Sequence, residues 1–349
     1  MVEALFKRSK DDLGSELRAG GYEPAEELSS IVLVGGKGTR LDEERKRIDP
    51  GDYPALDGAY HGTVGPKGMA ILEAELGGVA VRRPMTDWHL EIHAACDEVR
   101  RLTLALGTGA GIIRDYYRQV YGGRYKGREI DYLVEERPAG TLAPFIKLHR
   151  ANALPVRPTV YANGDNLTDV DLYKAYLAGC VAAVGCGADP GEAVIDVLAM
   201  VGWEDSGAYG TVELDYETGR INRFKEKGPK EDNTHVLVEG RKVTPINSGV
   251  SIVVNPARVY GRYFEEHPGV EETSRRLEAG ELDYGANEAV VKYETAYQIF
   301  ADRGLMVGVY ERGSYWADLG TEQKIIEAER AFPASRIFRT SRRMIGKEA

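Results

Sequence analysis

The chain has 349 residues, 43% hydrophobic and 29% charged, with a formal net charge of −10. This is an ordinary globular composition with ample chain for a sizeable core, as one large α/β domain or two small ones. It excludes nucleic-acid binding as a main activity, no apolar run reaches membrane-spanning length, and three scattered cysteines (Cys96, Cys180, Cys186) build no disulfide framework. The charged N-terminus leads into no signal-peptide core, so the expectation is a cytoplasmic protein with reduced thiols and neither nucleic-acid nor membrane partners. The 20 tyrosines exceed the 7 phenylalanines, which fits polar clefts or interfaces.

Residues 1–28 are polar and glycine-containing, and read as an extension with one short helix. A first strand at 30–34 (Ile31-Val-Leu-Val34) runs into Gly35, Gly36 and Gly38 and then Thr39 and Arg40. The glycines let the backbone turn sharply and bring N–H groups against a ligand. Arg40 adds a planar cationic fork suited to phosphate oxygens. The spacing is neither the dinucleotide fingerprint nor the Walker loop, and a plain structural turn with a solvent-facing Arg is the rival reading. Residues 42–65 form a long charged loop before Pro66-Lys67, and loops of that length tend to be functional or mobile.

A helix is expected over 85–100, where Trp88, Ile92, Ala95 and Val99 recur at helical spacing. Within it His89 and His93 stand at i, i+4, but the zinc-protease pattern needs Glu directly after the first His. They read as partly buried imidazoles. A strand at 102–106, a helix at 111–121, a strand at 130–134, a helix at 143–150 and a strand at 158–162 follow. This alternation predicts a mostly parallel sheet. The last of these strands runs into Asn163-Gly164-Asp165, placing Asp165 at a carboxyl edge, where α/β ligand sites gather. Asp169 and Asp171 read as helix N-terminal residues.

The second half favours hairpins. Strands are expected at 194–201, 210–215, 220–226, 236–238, 242–244 and 246–254, with Glu239-Gly240-Arg241 as a turn. A helix at 286–299, a strand at 305–310 and a helix at 321–332 complete the chain.

Several motifs recur in a familiar order: Gly35-Gly36-Lys-Gly38-Thr39-Arg40-Leu, Pro66-Lys67, Glu135-Glu-Arg-Pro-Ala-Gly140-Thr141 and Asn163-Gly164-Asp165. Tyr209-Gly210, Phe224-Lys-Glu226-Lys227, Asn247-Ser-Gly-Val and Trp316-Ala-Asp318-Leu-Gly-Thr follow. In this order the chain resembles the sugar-phosphate nucleotidylyltransferases over about residues 29–330. The resemblance implies a Rossmann-like α/β fold with a mostly parallel mixed sheet flanked by helices and an inserted sugar-binding β region. A nucleotide-binding half would occupy about 29–180 and a sugar-phosphate-binding half about 181–330, with a C-terminal tail at 331–349.

The implied reaction joins an NTP and a sugar 1-phosphate into an NDP-sugar and pyrophosphate, with Mg²⁺ as cofactor. An already anionic nucleophile needs no general base, so positioning and relief of charge repulsion should dominate. By resemblance Gly35, Gly36, Gly38 and Thr39 line the triphosphate, Arg40 meets its β- and γ-phosphates, and Lys67 meets the α-phosphate. Asp165 and Asp318 would be the magnesium ligands; the bland readings are a turn residue for Asp165 and a helix cap for Asp318. Gly140, Thr141 and Gly164 fall in the nucleotide site. Gly210, Glu226, Lys227 and Asn247 match positions that hold the sugar phosphate, although Lys225-Glu226-Lys227 alone would pass as a solvated charge run.

Glu135 bears on the base. Guanine presents two adjacent donors that a carboxylate can accept, and the local string most resembles guanylyltransferases that make GDP-mannose and GDP-heptoses. GTP is therefore the expected donor, with thymidylyl, cytidylyl or adenylyl transfer as alternatives and a silent nucleotide-sugar-binding subunit as a second one. The sugar stays open, and so does the oligomeric state, where the family allows a homo-oligomer. Two departures stand out: the 42–65 loop is far longer than in typical members, and Val34 replaces a small residue.

Overall fold

The computed structural model describes residues 2–36, 38–76, 79–137, 139–287 and 290–331, so the expected tail lies, from 332 on, outside the described residues. The chain forms two compact units, each assembled from separate stretches. Among the described residues, a glycine-loop unit takes those within 29–137, 162–170 and 313–331, and a hairpin unit those within 2–28, 139–161 and 171–312.

In the glycine-loop unit the strand Leu28–Leu33 lies beside Val99–Leu106, followed by Arg128–Val134 and the short Arg124–Tyr125. Val99–Leu106 and Arg128–Val134 run parallel, Leu102 opposite Ile130 through Leu106 opposite Val134, with the helix Ala110–Tyr121 as crossover. Every residue of the helix Met85–Ala94 is buried, and it ends where the sequence pattern continued to 100. An antiparallel hairpin, Ile71–Leu76 with Val79–Pro84, was not foreseen, although the two alternating runs flank Gly77-Gly78 in the sequence.

The 42–65 loop is packed and internally bonded. Ile48, Tyr53 and Leu56 are buried, and Arg47 bridges Val64 in antiparallel fashion. The Gly65 N–H closes the loop onto the Lys46 carbonyl at 2.8 Å. Its far side docks on the crossover helix, where the Tyr60 hydroxyl donates to Asp115 at 2.6 Å.

In the hairpin unit the long strands Val194–Gly202 and Arg241–Val253 pair antiparallel, and Met306–Val309 runs parallel along the first of them. Thr159–Asn163 lies beside Arg241–Val253. The strands expected at 242–244 and 246–254 are one strand carrying a bulge between Asn247 and Val250, where Gly249 takes φ +80°. Thr211–Leu214 and Ile221–Lys225 form the expected hairpin, and Glu239 and Gly240 turn the other with φ of 51° and 78°.

Residues 1–28 form two helices, Val2–Leu5 and Lys10–Ala19, where one was expected. Ser9 and Asp12 cap the second with a reciprocal capping box, and its Leu13 and Leu17 are buried in contact with the helix Leu172–Gly185. Asp171 caps that helix through the Lys174 N–H, as the sequence suggested. The helices Pro256–Glu266 and Pro268–Ala279 escaped the reading, although each opens with proline at a first-turn position. The helix expected at 286–299 is replaced by Tyr284–Asn287 and Tyr293–Asp302. Between them the Val291 carbonyl leaves helical bonding to accept the Leu142 N–H at 3.0 Å.

Candidate active site

Three glycines stand where backbones come too close for a side chain. A Cβ on Gly35 would lie 2.6 Å from the Gly107 nitrogen, and one on Gly164 2.0 Å from the Leu33 carbonyl oxygen. Gly38 takes φ +63°, and a Cβ there would meet Lys67 Cβ at 2.8 Å. The Lys67 N–H donates to the Gly36 carbonyl at 3.2 Å, so the glycine loop and Pro66-Lys67 are laid side by side by backbone alone. Gly36, Thr39 and Arg40 are exposed.

Asp165 and Asp318, 153 residues apart by number (318 − 165), are joined by a small ladder. The strands Asn166–Thr168 and Trp316–Asp318 pair antiparallel, with Asp318 opposite Asn166. The Leu319 N–H donates to the Asp165 carbonyl at 2.6 Å. Leu167 and Leu319 anchor this ladder in a core cluster with Leu41, Trp88 and Ile325. Burying two such side chains contributes roughly 1.5–3 kcal/mol each. The site's geometry is therefore held largely by packing.

Lys67, with only 11% of its side chain exposed, pairs with Asp165 Oδ2 at 2.8 Å. Lys324 pairs with Asp318 Oδ2, while Asp318 Oδ1 accepts the Gly320 N–H at 2.7 Å. A Cβ on Gly320 would lie 3.5 Å from a terminal nitrogen of Arg40. Arg40, Lys67, Asp165 and Asp318 thus surround one place in the glycine-loop unit. Burial raises the Asp165 carboxyl, but Lys67, His89 and Arg40 outweigh it and hold the group below the usual carboxylate range.

Two carboxylates at adjoining backbone positions suit a hard divalent cation that completes its shell with phosphate oxygens and water. Among the described residues no three His, Cys, Asp or Glu side chains gather into a ready-made metal cage. The donor set fits Mg²⁺ shared with a substrate. His89 and His93 are no part of it. Burial pushes His89 down to about 4 and His93 to about 3, and His93 Nδ1 is 2.8 Å from the Ser30 hydroxyl.

The remaining candidates divide between the units. Glu135 is half-buried just past Arg128–Val134, its N–H donating to the Leu106 carbonyl at 2.7 Å. In the hairpin unit a Cβ on Gly140 would lie 2.4 Å from the Val291 carbonyl oxygen. Thr141 Oγ1 accepts the Tyr293 N–H at 2.9 Å, and its carbonyl accepts the Tyr161 hydroxyl. Gly140 and Thr141 therefore have structural duties there. The Gly210 carbonyl accepts the Asn247 N–H at 3.0 Å. Thr211 stands opposite Lys225, so Gly210 and Glu226 continue neighbouring strands, with Glu226 and Lys227 exposed. Asp169 departs from expectation: it starts no helix, and Oδ1 accepts the Tyr315 N–H at 2.6 Å.

Two cations near these groups escaped the sequence reading. Lys324 lies in the first turn of the helix Glu322–Ala331, six residues past Asp318 (324 − 318), and Lys46 donates to the Gly38 carbonyl at 2.9 Å from within the long loop. Nothing in the spacing of either residue marks it.

A crystal structure of HddC from Yersinia pseudotuberculosis complexed with GMP-PN is 18% identical over 87% of this chain and 99% of that chain, with a TM-score of 0.49. A putative glucose-1-phosphate thymidylyltransferase from Bacillus anthracis, solved in complex with a sucrose, is 16% identical. That likeness covers 87% of this chain and 94% of the other at a TM-score of 0.55, which shows a shared α/β fold with a mixed sheet flanked by helices. No curated protein sequence matches the chain. The family model described as Nucleotidyl transferase matches residues 112–335, from the crossover helix through the Asp318 ladder. With well over half of its length matched, the chain belongs to the nucleotidyl transferase family, a family of enzymes.

Proposed function

We propose that this nucleotidyltransferase moves a nucleoside monophosphate, GMP by preference, from an NTP to a sugar 1-phosphate. A phosphate oxygen of the sugar attacks the α-phosphorus in line, and the bond from that phosphorus to the bridging oxygen breaks to release pyrophosphate. The observation that carries this reading is the Lys67–Asp165 pair at 2.8 Å beside the Asp318 ladder.

The glycine-loop N–H groups and the Arg40 guanidinium receive the departing β- and γ-phosphates. Lys67 releases Asp165 to steady a non-bridging oxygen of the α-phosphate, where charge gathers in the transition state. Asp165 and Asp318 would hold Mg²⁺, which when bound supplies charge neutralisation across the phosphates. No side chain has to remove a proton. In the hairpin unit, Lys227 takes the sugar phosphate and Glu226 the sugar hydroxyls, with Gly210 and Asn247 beside them. Glu135 accepts N1–H and the 2-amino group of guanine.

Initial rates of pyrophosphate release with GTP, dTTP, UTP, CTP and ATP across a panel of sugar 1-phosphates test the proposal. GTP is expected to be the best donor; a preference for another base removes the Glu135 argument and leaves the transfer chemistry. No release with any pair would revive the silent-subunit reading.

A further inference from the structure

Lys46 has no duty in the reaction as described, yet it is only 6% exposed and sits against the glycine loop. Its ammonium donates to the Gly38 carbonyl at 2.9 Å and meets no carboxylate among the described residues. Other sheltered cations of this unit are paired: Lys67 with Asp165, Arg45 with Glu322 and Glu329, and Lys126 with Glu91. A buried ammonium without a counter-ion is unfavourable until an anion arrives, and a carbonyl takes one of its three protons.

The backbone gives this ammonium a fixed place. The Lys46 carbonyl accepts the Gly65 N–H at 2.8 Å, immediately before Pro66-Lys67, and Gly38 packs against Lys67 on its other face. One loop residue therefore ties the glycine turn to the strip that carries Lys67. We propose that Lys46, supplied by the enlarged 42–65 loop, is a second polyphosphate-binding cation: it holds the Gly38 carbonyl aside while its two remaining protons take the terminal phosphates of the nucleotide. This rests on the nucleotidyl-transfer reading above. It adds a cation at the leaving-group end, opposite in role to Lys67 at the α-phosphate.

The test uses the full chain with inorganic tripolyphosphate and Mg²⁺, followed by calorimetry, for the parent and for Lys46→Met, Lys46→Gln and Lys46→Arg. Tripolyphosphate affinity should fall about tenfold or more in the Met and Gln variants and return to within about threefold in the Arg variant. In turnover, KM for the NTP should rise while KM for the sugar 1-phosphate stays put, a split that a purely structural prop would not produce. Equal affinity in folded parent and variants overturns the proposal and leaves the nucleotidyl-transfer reading intact. Failure of both the Met and Gln variants to fold assigns the ammonium to stability and also overturns it. A parent that binds no tripolyphosphate counts against both.

Discussion

Lys67 and Lys324 each hold one oxygen of a carboxylate that the proposed chemistry needs. Against burial, the Lys67 ammonium holds the Asp165 carboxyl below the usual carboxylate range, and both ammoniums orient their carboxylates until phosphates offer better partners. Asp165→Asn should lower kcat at least about a hundredfold, since a neutral amide grips a divalent ion far less well than a carboxylate. Its melting temperature should stay within a few degrees of the parent, because Leu167 and Leu319 hold the ladder; pyrophosphate release and calorimetric scans check the two halves of that statement. His93 makes a different residue-scale prediction. Its imidazole falls from 6.5 in the unfolded chain to about 3 by burial, with His89 adding to the effect, so below pH 6.5 the unfolded chain binds more protons. Stability is then complete above about pH 6.5 and declines toward pH 3 with a slope approaching roughly 1.4 kcal/mol per pH unit from this one group. Urea midpoints at pH 7.5, 6 and 5 should show the decline, and His93→Gln should flatten it.

At the scale of elements, the Met85–Ala94 helix and the Ala110–Tyr121 helix are joined by one buried acid. Asp87, 1% exposed, accepts the hydroxyls of Tyr116, Tyr117 and Tyr121 at 3.0, 2.7 and 2.6 Å. Burial raises its carboxyl, and the three phenols offset only part of that. Asp87→Ala would strand three phenols at once and should cost about 3–5 kcal/mol in urea unfolding, while Asp87→Asn keeps an acceptor and should cost less. The tyrosine excess was legible as a number but not as a place. Composition pointed to clefts, whereas Tyr53, Tyr117, Tyr161, Tyr176 and Tyr297 are among the largest fully buried side chains, their hydroxyls bonded to internal polar groups. The helix at 143–150 and the Glu239-Gly240 turn could be read directly, because a local period or a left-handed dipeptide fixes each. The 286–299 helix could not, because the Val291 carbonyl is claimed by a residue 149 positions earlier (291 − 142), a tertiary bond that no local pattern records.

At the scale of the molecule, Arg40, Lys67, Asp165 and Asp318, which motif order singled out, are each tied to backbone geometry: a glycine turn, a Pro-Lys step and a two-strand ladder. Lys46 and Lys324 carry no such mark, and neither spacing nor composition singles them out. Since the described residues hold no protein-built metal cage, chelation should abolish turnover while leaving the thermal transition nearly unchanged; a fall of many degrees in EDTA would point to a structural ion instead. The ladder between 166–168 and 316–318 has a further consequence for biosynthesis. While the ribosome is still making residues near 312, Asn166–Thr168 has no partner strand and Asp165 no neighbouring acid. The proposed ion site is therefore assembled late, only once residues 316–318 are available to pair, and a nascent chain halted before them lacks it however well its earlier strands have settled.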